Sequence, residues 1–187
     1  MLELEDLGGE SQEPIAGLAT RVWYARKSDF ETIIDTKKIE DEDPDNVAQS
    51  YAELMEITDN HVFKTTKCFK TIDYVQETGE IKTKSIGPKG GKLFENEVTI
   101  QLAGSGADRL GLLRVLKNGD LIVLVEEVGS GNIRQFGWSK YGAEASNLEH
   151  EITAALEGNN ASKITFKDKN LGPASIYKGE ISEIPAP

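Results

Sequence analysis

The stretch most suggestive of chemistry is residues 87–92, Gly-Pro-Lys-Gly-Gly-Lys, because glycine-rich loops with a lysine can hold a phosphate group. In a Walker-type loop, four residues separate the first glycine from a Gly-Lys pair, and a serine or threonine follows at the start of a helix. Here only three residues separate Gly87 from Gly91, Leu93 replaces the hydroxyl residue, and the alternation in residues 93–102 predicts a strand. We therefore expect a flexible basic loop between strands, not a nucleotide site.

Other catalytic or metal-binding patterns are equally weak. The histidines, His61 and His150, lie far apart and have no partners at ligand spacing. The single cysteine, Cys68, cannot form an intrachain disulfide or a thiolate cluster, and we expect it to be a small core or half-buried residue. No serine has the context of a nucleophile elbow. We expect no catalytic residue, cofactor or metal site, with an enzyme kept as an alternative because distant residues can converge in a fold.

The charge of the chain is unevenly distributed. The net charge is -11, and residues 1–60 carry all of the excess. Residues 61–92 are locally basic, with seven lysines against three acidic residues. Such segments can attract each other between copies of the chain, although solvated faces that only maintain solubility are an alternative. With a pI of 4.7, nucleic-acid binding is disfavoured, and the basic segment is better explained as an edge strand protected by lysines.

Targeting and membrane segments are not expected. No apolar run approaches the roughly 20 residues that span a bilayer. The sequence from residue 1 lacks the basic flank and apolar segment of a signal peptide. These features predict assembly in the cytoplasm, without a membrane partner.

Alternating short runs predict a mainly β fold. The predicted elements are a strand at 20–26, an exposed acidic loop at 28–48, a strand at 51–58, a hairpin at 70–87 turning at 77–80, a strand at 93–102, a hairpin at 120–138 turning at 129–132, and strands at 162–169 and 174–184. Residues 121–125 are apolar on both faces, which indicates a central strand.

One helix is predicted at residues 106–117. Ser105 is the expected N-cap, and Asn118 with Gly119 provides a stop signal. The expected core face consists of Leu110, Leu113 and Leu116, together with Leu112. The fold class is therefore mainly β (α+β), an antiparallel sandwich or barrel with one flanking helix. Residues 1–16 are expected to form a flexible acidic arm, and residues 17–187 a single domain.

The order of these elements resembles that of a known family. Three segments carry the resemblance: "GLATRVWYARKSDFETI", "GGKLFENEVTIQLAGSGADRLGLLRVLKNGDLIVLVEEVGSGNIRQFG" and "LGPASIYKGEI". Together they resemble the tail tube (major tail) proteins of long-tailed bacteriophages. The resemblance implies six copies in a ring, inner strands joined into one continuous barrel, and rings stacked into a hollow tube for viral DNA. Type VI secretion tube proteins are similar in fold and provide an alternative.

The resemblance also implies partners and a location. The main partner is the protein itself, with contacts to other tail proteins such as tape measure, sheath or terminator. DNA passes through the lumen without specific binding, and the protein resides in the virion. Stacking needs segments that order on contact. The expected self-assembly residues are Leu4, Asp6, Glu42, Asp43, Asp45, Lys82, Lys84, Pro88, Lys89 and Lys92.

A function of another class is a carbohydrate-binding β-sandwich. Its stacking surfaces would be chosen from Trp23, Trp138, Tyr141 and Tyr177. Aromatic residues make up only 7% of the chain and most fall at expected core positions, which favours the tube subunit.

Overall fold

A computed structural model describes residues 16–152 and 160–185. These residues form one α-helix, α1 (Ala107–Leu116), and twelve β-strands. The strands are β1 (Leu18–Arg26), β2 (Phe30–Thr32), β3 (Glu56–Ile57), β4 (Val62–Phe63), β5 (Lys70–Asp73), β6 (Glu80–Ile86), β7 (Leu93–Ala103), β8 (Leu121–Glu127), β9 (Ile133–Phe136), β10 (Glu144–Ile152), β11 (Asn160–Asn170) and β12 (Ser175–Tyr177). The predicted mainly β class with one helix is confirmed.

The strands form two main sheets and a small one. The six-stranded sheet has the order β3-β12-β9-β8-β1-β5, and the four-stranded sheet has the order β10-β11-β7-β6. Every pair in the four-stranded sheet is antiparallel. Strands β2 and β4 form a separate pair. The arrangement is a sandwich in which only one sheet has further layers on its outer side.

The main core lies between the two large sheets. Val98 and Ile100 of β7 and Phe166 of β11 meet Val123 and Phe136 of the six-stranded sheet, and all five are fully buried. These positions alternate with polar ones along β7 and β11, as expected for a sheet with one buried face.

A second core covers the opposite face of the six-stranded sheet. Ile122 and Leu124 of β8 point away from the first core and pack with Phe30, Phe69 and Tyr177. The segment from residue 28 to 69 and the chain after β12 supply this outer layer, and Phe69 N–H donates to the Ser182 carbonyl. Because both faces of β8 are covered, its run of apolar residues is buried throughout, as the sequence predicted.

The helix connects β7 to β8, and its inward face differs from the prediction. Leu116 is buried and Leu113 packs partly against the main core, but Leu110 is 41% exposed. The prediction for Leu110 was wrong because the helix contacts the core mainly through its second half. The prediction for Ser105 was also wrong, since Gly106 is the N-cap and no side chain caps the helix. The Ser105 hydroxyl instead accepts from the Asn160 amide.

Two predicted strand arrangements are wrong. Residues 51–55 form turns, with Met55 and Glu56 N–H groups donating to the Ala52 carbonyl, so only the two residues of β3 are extended. The expected 70–87 hairpin does not exist, because β5 pairs with β1 and β6 pairs with β7. The connection from β5 to β6 therefore crosses from one sheet to the other, with Glu77 at a φ of 62°.

The other strand predictions agree with the structure, but three strands, β2, β4 and β10, were not predicted, and β2 lies within the expected 28–48 loop. Strand β7 and the β8–β9 hairpin are confirmed, as is β11, while β12 is shorter than expected. Strand β10 was not predicted, because its sequence EASNLEHEI has few apolar residues and no regular alternation. Cys68 is buried, as expected. Within the described ranges, no helix combines the length and apolarity needed to cross a membrane.

Candidate assembly surface

The outer face of the four-stranded sheet is a broad polar surface. No described helix or strand packs on it, and its central side chains include Thr99, Gln101 and Thr165. The acidic and basic residues on this face are nearly balanced: Glu80, Glu95, Glu97, Glu144, Glu149 and Glu151 against Lys82, Lys84, Lys163, Lys167 and Lys169. The surface is therefore polar without a strong net charge.

Opposite charges alternate from strand to strand across this face. In the strand register, Lys82 of β6 lies opposite Glu97 of β7, Glu97 lies opposite Lys167 of β11, and Lys167 lies opposite Glu144 of β10. Lys167 Nζ lies 2.7 Å from Glu97 Oε1. A cross-strand row of this kind is favourable because neighbours of opposite sign stabilise a sheet. The row begins with a lysine at one edge and ends with a glutamate at the other.

A second pairing supports the same order of charges. Lys84 Nζ lies 2.6 Å from Glu95 Oε1 on the neighbouring strand. This contact, with Lys167 nearby, holds the pKa of Glu95 below its usual value. Lys84 is exposed, whereas Glu95 and Lys167 are partly covered by their neighbours. Ion pairs on a solvent-facing surface individually add little stability. Their importance lies in the pattern of sign, not in the energy of one pair.

Both edges of the four-stranded sheet are open. Within the described ranges, β6 pairs only with β7, and β10 pairs only with β11. Most residues of both edge strands are exposed. Unpaired edges of this length are a liability for a soluble monomer, because they invite pairing with another chain. On their outward faces, β6 carries two lysines and one glutamate, whereas β10 carries three glutamates.

The predicted basic interface residues fall on this sheet or at one of its ends. Lys82 and Lys84 lie on the outer face of β6, while Pro88, Lys89 and Lys92 lie in the turn between β6 and β7. Residues 87–92 thus form a connection between strands, as expected. Lys89 and Lys92 are exposed and make no ion pair with the described residues.

The predicted acidic interface residues lie in a closed loop. Lys38 N–H donates to the Asn46 carbonyl, and the Lys38 carbonyl accepts from Ala48, so these bonds close the base of the loop. Asp43 caps a short 3-10 turn by accepting from Asp45 N–H. Glu42, Asp43 and Asp45 are exposed. Leu4 and Asp6 lie outside the described residues.

The acidic loop and the basic turn lie at the same end of the sandwich. Residues 36–40, at the base of the acidic loop, line a groove with Phe94 and Leu171. Phe94 follows the basic turn and pairs with Asn170 at the end of β11. If copies stacked in the same orientation, one end of each copy would contact the opposite end of the next. Stacking would therefore not bring the acidic loop of one copy to the basic turn of another. Neighbours that lie side by side can do so.

A chain of buried hydrogen bonds links the outer layer to both sheets. Ile34 N–H donates to His61 Nδ1 (3.1 Å), and His61 Nε2 lies 2.8 Å from Gln135 Oε1. Because Nδ1 accepts, Nε2 carries the proton and donates to Gln135. Gln135 Nε2 donates to the Gly137 carbonyl, and Gly137 N–H donates to Asp168 Oδ2 (2.8 Å). This chain fixes the two sheets relative to each other.

The two titratable groups in this chain are both shifted by burial. Burial lowers the pKa of His61, and the bond to Gln135 offsets only part of that effect. Burial raises the pKa of Asp168 to about 6, against the opposing influence of the Gly137 N–H and the neighbouring Asn96 amide. Asp168 Oδ1 has no hydrogen-bond partner in the described part of the chain, and Asn96 Nδ2 donates to the Gly172 carbonyl. Both shifts favour the neutral forms.

Of the four aromatic residues considered for carbohydrate stacking, one is exposed. Tyr177 is buried, and Trp23 packs partly into the second core and donates from Nε1 to Glu183. Trp138 donates to the Lys169 carbonyl, and only Tyr141 is exposed. The described residues contain no group of three His, Cys, Asp or Glu side chains arranged to hold a metal ion.

The feature that sequence reasoning missed is β10, the acidic edge. Its signal was the spacing of Glu144, Glu149 and Glu151, but polar edge strands lack the alternation that identifies half-buried ones. Comparison with protein-family models, with curated proteins and with solved structures gives no significant match. A function therefore has to be inferred from the geometry of this surface.

Proposed function

We propose that this protein is the structural subunit of a hollow tube, like the tail tube proteins that its sequence resembles. Copies join edge to edge through their four-stranded sheets into a ring, and rings stack into a tube through which DNA passes. The observation that carries this proposal is a sheet with two open edges of opposite character, one bearing lysines and the other glutamates. Pairing β6 of one copy with β10 of the next satisfies both edges.

The number of strands suits this junction. The four strands alternate in direction, so β6 and β10 of one sheet run in opposite directions. A copy rotated about the ring axis keeps its strand directions, and β10 of that copy therefore meets β6 of the first in antiparallel fashion. Each junction then continues the antiparallel order of the sheet. Such a contact is heterologous, and it closes into a ring when the rotation between copies permits.

The charges of the sheet also suit this junction. The cross-strand row runs from Lys82 at one edge to Glu144 at the other. Continuing the sheet places an acidic edge next to a basic one, so the alternation of sign proceeds into the next copy. Two β6 edges, or two β10 edges, would bring like charges together. The pattern therefore favours head-to-tail closure over symmetric pairing of two sheets.

The polar outer face of the sheet is suited to the wall of the channel. Closing the sheet with its apolar face against the six-stranded sheet leaves the polar face inside the ring. Sliding DNA requires a wall that does not attract phosphate groups, and a face with balanced charges meets this requirement. In this arrangement the six-stranded sheet and α1 lie outside the channel wall.

The experiment that tests this function is charge reversal at one edge. Lys82→Glu with Lys84→Glu should prevent assembly, because two acidic edges would then meet. Light scattering of the purified chain over a range of concentrations measures the size of the particles, and negative-stain electron microscopy shows whether rings form. The wild type should form rings whose proportion increases with concentration. A wild type that stays monomeric at every salt and protein concentration would overturn the proposal.

The matched control reverses the same number of charges on the same face, away from the edges. Lys163→Glu with Lys169→Glu changes exposed lysines of β11, a strand paired on both sides. This variant should still form rings. Loss of assembly in both variants would indicate that net charge, and not the β6 edge, controls association.

A further inference from the structure

An apolar groove opens at the end of the sandwich that carries the basic turn. Its volume is about 480 Å³, within the range of pockets that bind small ligands or peptide side chains. Its apolar lining comprises Ile39, Leu54, Met55, Phe94, Leu171 and Pro173. Ile39 is 54% exposed and Leu171 is 56% exposed. The described residues leave these side chains facing solvent on the rim, which is costly unless another segment covers them.

The sequence before the described residues contains a segment of matching chemistry. Residues 2–5, Leu-Glu-Leu-Glu, alternate apolar and acidic side chains, and Asp6 and Leu7 follow them. In an extended segment, alternate side chains point to opposite sides, so Leu2 and Leu4 can enter a groove while Glu3 and Glu5 face outward. Residues 1–15 contain no basic residue. The exposed Lys89 and Lys92, in the turn just before Phe94, provide charges of the opposite sign at the same end.

The described chain begins at the other end of the sandwich. Leu18 lies beside Gly79, just before β6 begins, because a Cβ atom at Gly79 would come within 3.1 Å of Leu18 Cδ1. At this end Val75 N–H donates to the Gln101 carbonyl near the end of β7. The groove, in contrast, contains Phe94 near the beginning of β7. Phe94 and Gln101 are seven residues apart on β7, so the two ends are separated by roughly 24 Å, given a rise of about 3.4 Å per strand residue.

We propose that residues 2–7 of one copy occupy this groove of a second copy in the adjacent ring. This inference rests on the proposed tube function and assigns the contact between rings. A segment that leaves one end of the sandwich and a groove at the opposite end form a head-to-tail contact when copies stack in the same orientation. Within one copy, the segment would have to run back along the sheet in a largely extended form, since the ten residues from residue 7 to Gly17 span at most about 36 Å. Stacking brings the groove to the segment instead.

A cross-link between separate chains tests the contact directly. One full-length chain carries Leu4→Cys, and a second, mass-tagged chain carries Leu171→Cys. The native Cys68 is buried, so the wild-type chain provides the background. After mixing and mild oxidation, the mixed disulfide should form at least about tenfold more than with a Val115→Cys partner, because docking raises the local thiol concentration. Val115 is 55% exposed and lies on α1, away from the groove, so it matches Leu171 in accessibility.

Particle size separates failure of this inference from failure of the tube function. If rings form but the Leu171→Cys yield equals that of the Val115→Cys control, the groove assignment is overturned and the ring remains supported. If a chain carrying both Leu4→Cys and Leu171→Cys forms its disulfide internally at high dilution, the segment docks within its own copy, and the contact between rings is overturned. If the wild type forms no rings at all, both proposals fail.

A substitution in the groove gives an independent measurement. Leu171→Asp should leave single rings intact but abolish stacked tubes in electron micrographs, because it places a charge where Leu2 or Leu4 would be buried. Val115→Asp should leave both rings and tubes intact. Tubes of normal length from Leu171→Asp would overturn the inference.

Discussion

The two large sheets of this protein differ in how much of each is completed by the chain itself. The six-stranded sheet is covered on both faces, by the main core on one side and by the second core on the other. Among the described residues, the four-stranded sheet is covered on one face only, and its long edge strands β6 and β10 are open, whereas the edge strands of the six-stranded sheet, β3 and β5, have only two and four residues. The first sheet is therefore a stable scaffold within one copy. The second has open edges of opposite charge, where we propose that further copies attach.

The largest expected effect is on the free energy of unfolding, and it is tested by making the same Leu→Ala substitution once in each sheet. Leu124→Ala in β8 removes a fully buried side chain and should lower the free energy of unfolding by about 2–5 kcal/mol. Leu93→Ala in β7, where the leucine is 37% exposed, should cost less than about 1 kcal/mol. Denaturant unfolding of the two variants measures both values. Equal losses would contradict the difference in coverage.

The next effect concerns the inner face of the four-stranded sheet. Asp168→Asn keeps an acceptor for Gly137 N–H and removes a group whose charged form is unfavourable when buried. Because the folded pKa of Asp168 is raised to about 6, its contribution to stability is fully present below the unfolded pKa of about 4 and is lost as the pH rises through 6. Relative to wild type, the variant should gain on the order of 3 kcal/mol between pH 4 and pH 8.

Unfolding experiments at both pH values test this prediction, and the comparison at pH 4 is its internal control. A variant with the same relative stability at pH 4 and pH 8 would show that the carboxylate is accommodated in its charged form. That result would contradict the raised pKa that burial between the sheets gives Asp168.

A smaller effect with the opposite pH dependence is expected at His61. The folded pKa of His61 is lowered, so the stability from its neutral ring is present above about pH 6.5 and is lost as the pH falls through the folded pKa. His61→Gln should cost about 1–3 kcal/mol at pH 7.5, because Ile34 N–H loses a well-placed acceptor. The cost should shrink at acidic pH, where the wild type also loses this bond.

NMR titration of the His61 ring protons tests the pKa direction separately from stability. A midpoint above the usual histidine value would contradict the buried, neutral ring inferred from its contacts with Ile34 and Gln135. A stability difference that does not change with pH would also contradict it.

The sequence predicted the features that are determined by local pattern. The buried run Leu121–Val125, the alternation along β7 and the β8–β9 turn follow from periodicity and turn residues, and all are observed. The false hairpin at residues 70–87 shows the limit of this reasoning. Both of its strands exist, but β5 finds a longer partner in β1 and β6 finds one in β7, and sequence proximity does not determine that choice.

The candidate surface was less predictable than the fold. Lys82 and Lys84 were identified as basic interface residues, but the acidic edge that complements them in the proposed ring was missed. The sequence suggested Glu42, Asp43 and Asp45 instead, because a contiguous acidic cluster is visible without a fold. Placing Lys82 and Glu144 at the two ends of one cross-strand row requires the strand order, which only the structure provides.

The central claim is that the basic edge of one copy joins the acidic edge of the next, and a charge exchange tests it most directly. One chain carries Lys82→Glu and Lys84→Glu, and a second carries Glu144→Lys and Glu149→Lys. Alone, each chain should remain monomeric in light scattering, because its two edges then carry the same sign. An equimolar mixture should form rings in which the two chains alternate. Assembly of either chain alone, or no assembly of the mixture when the wild type assembles, would contradict the claim.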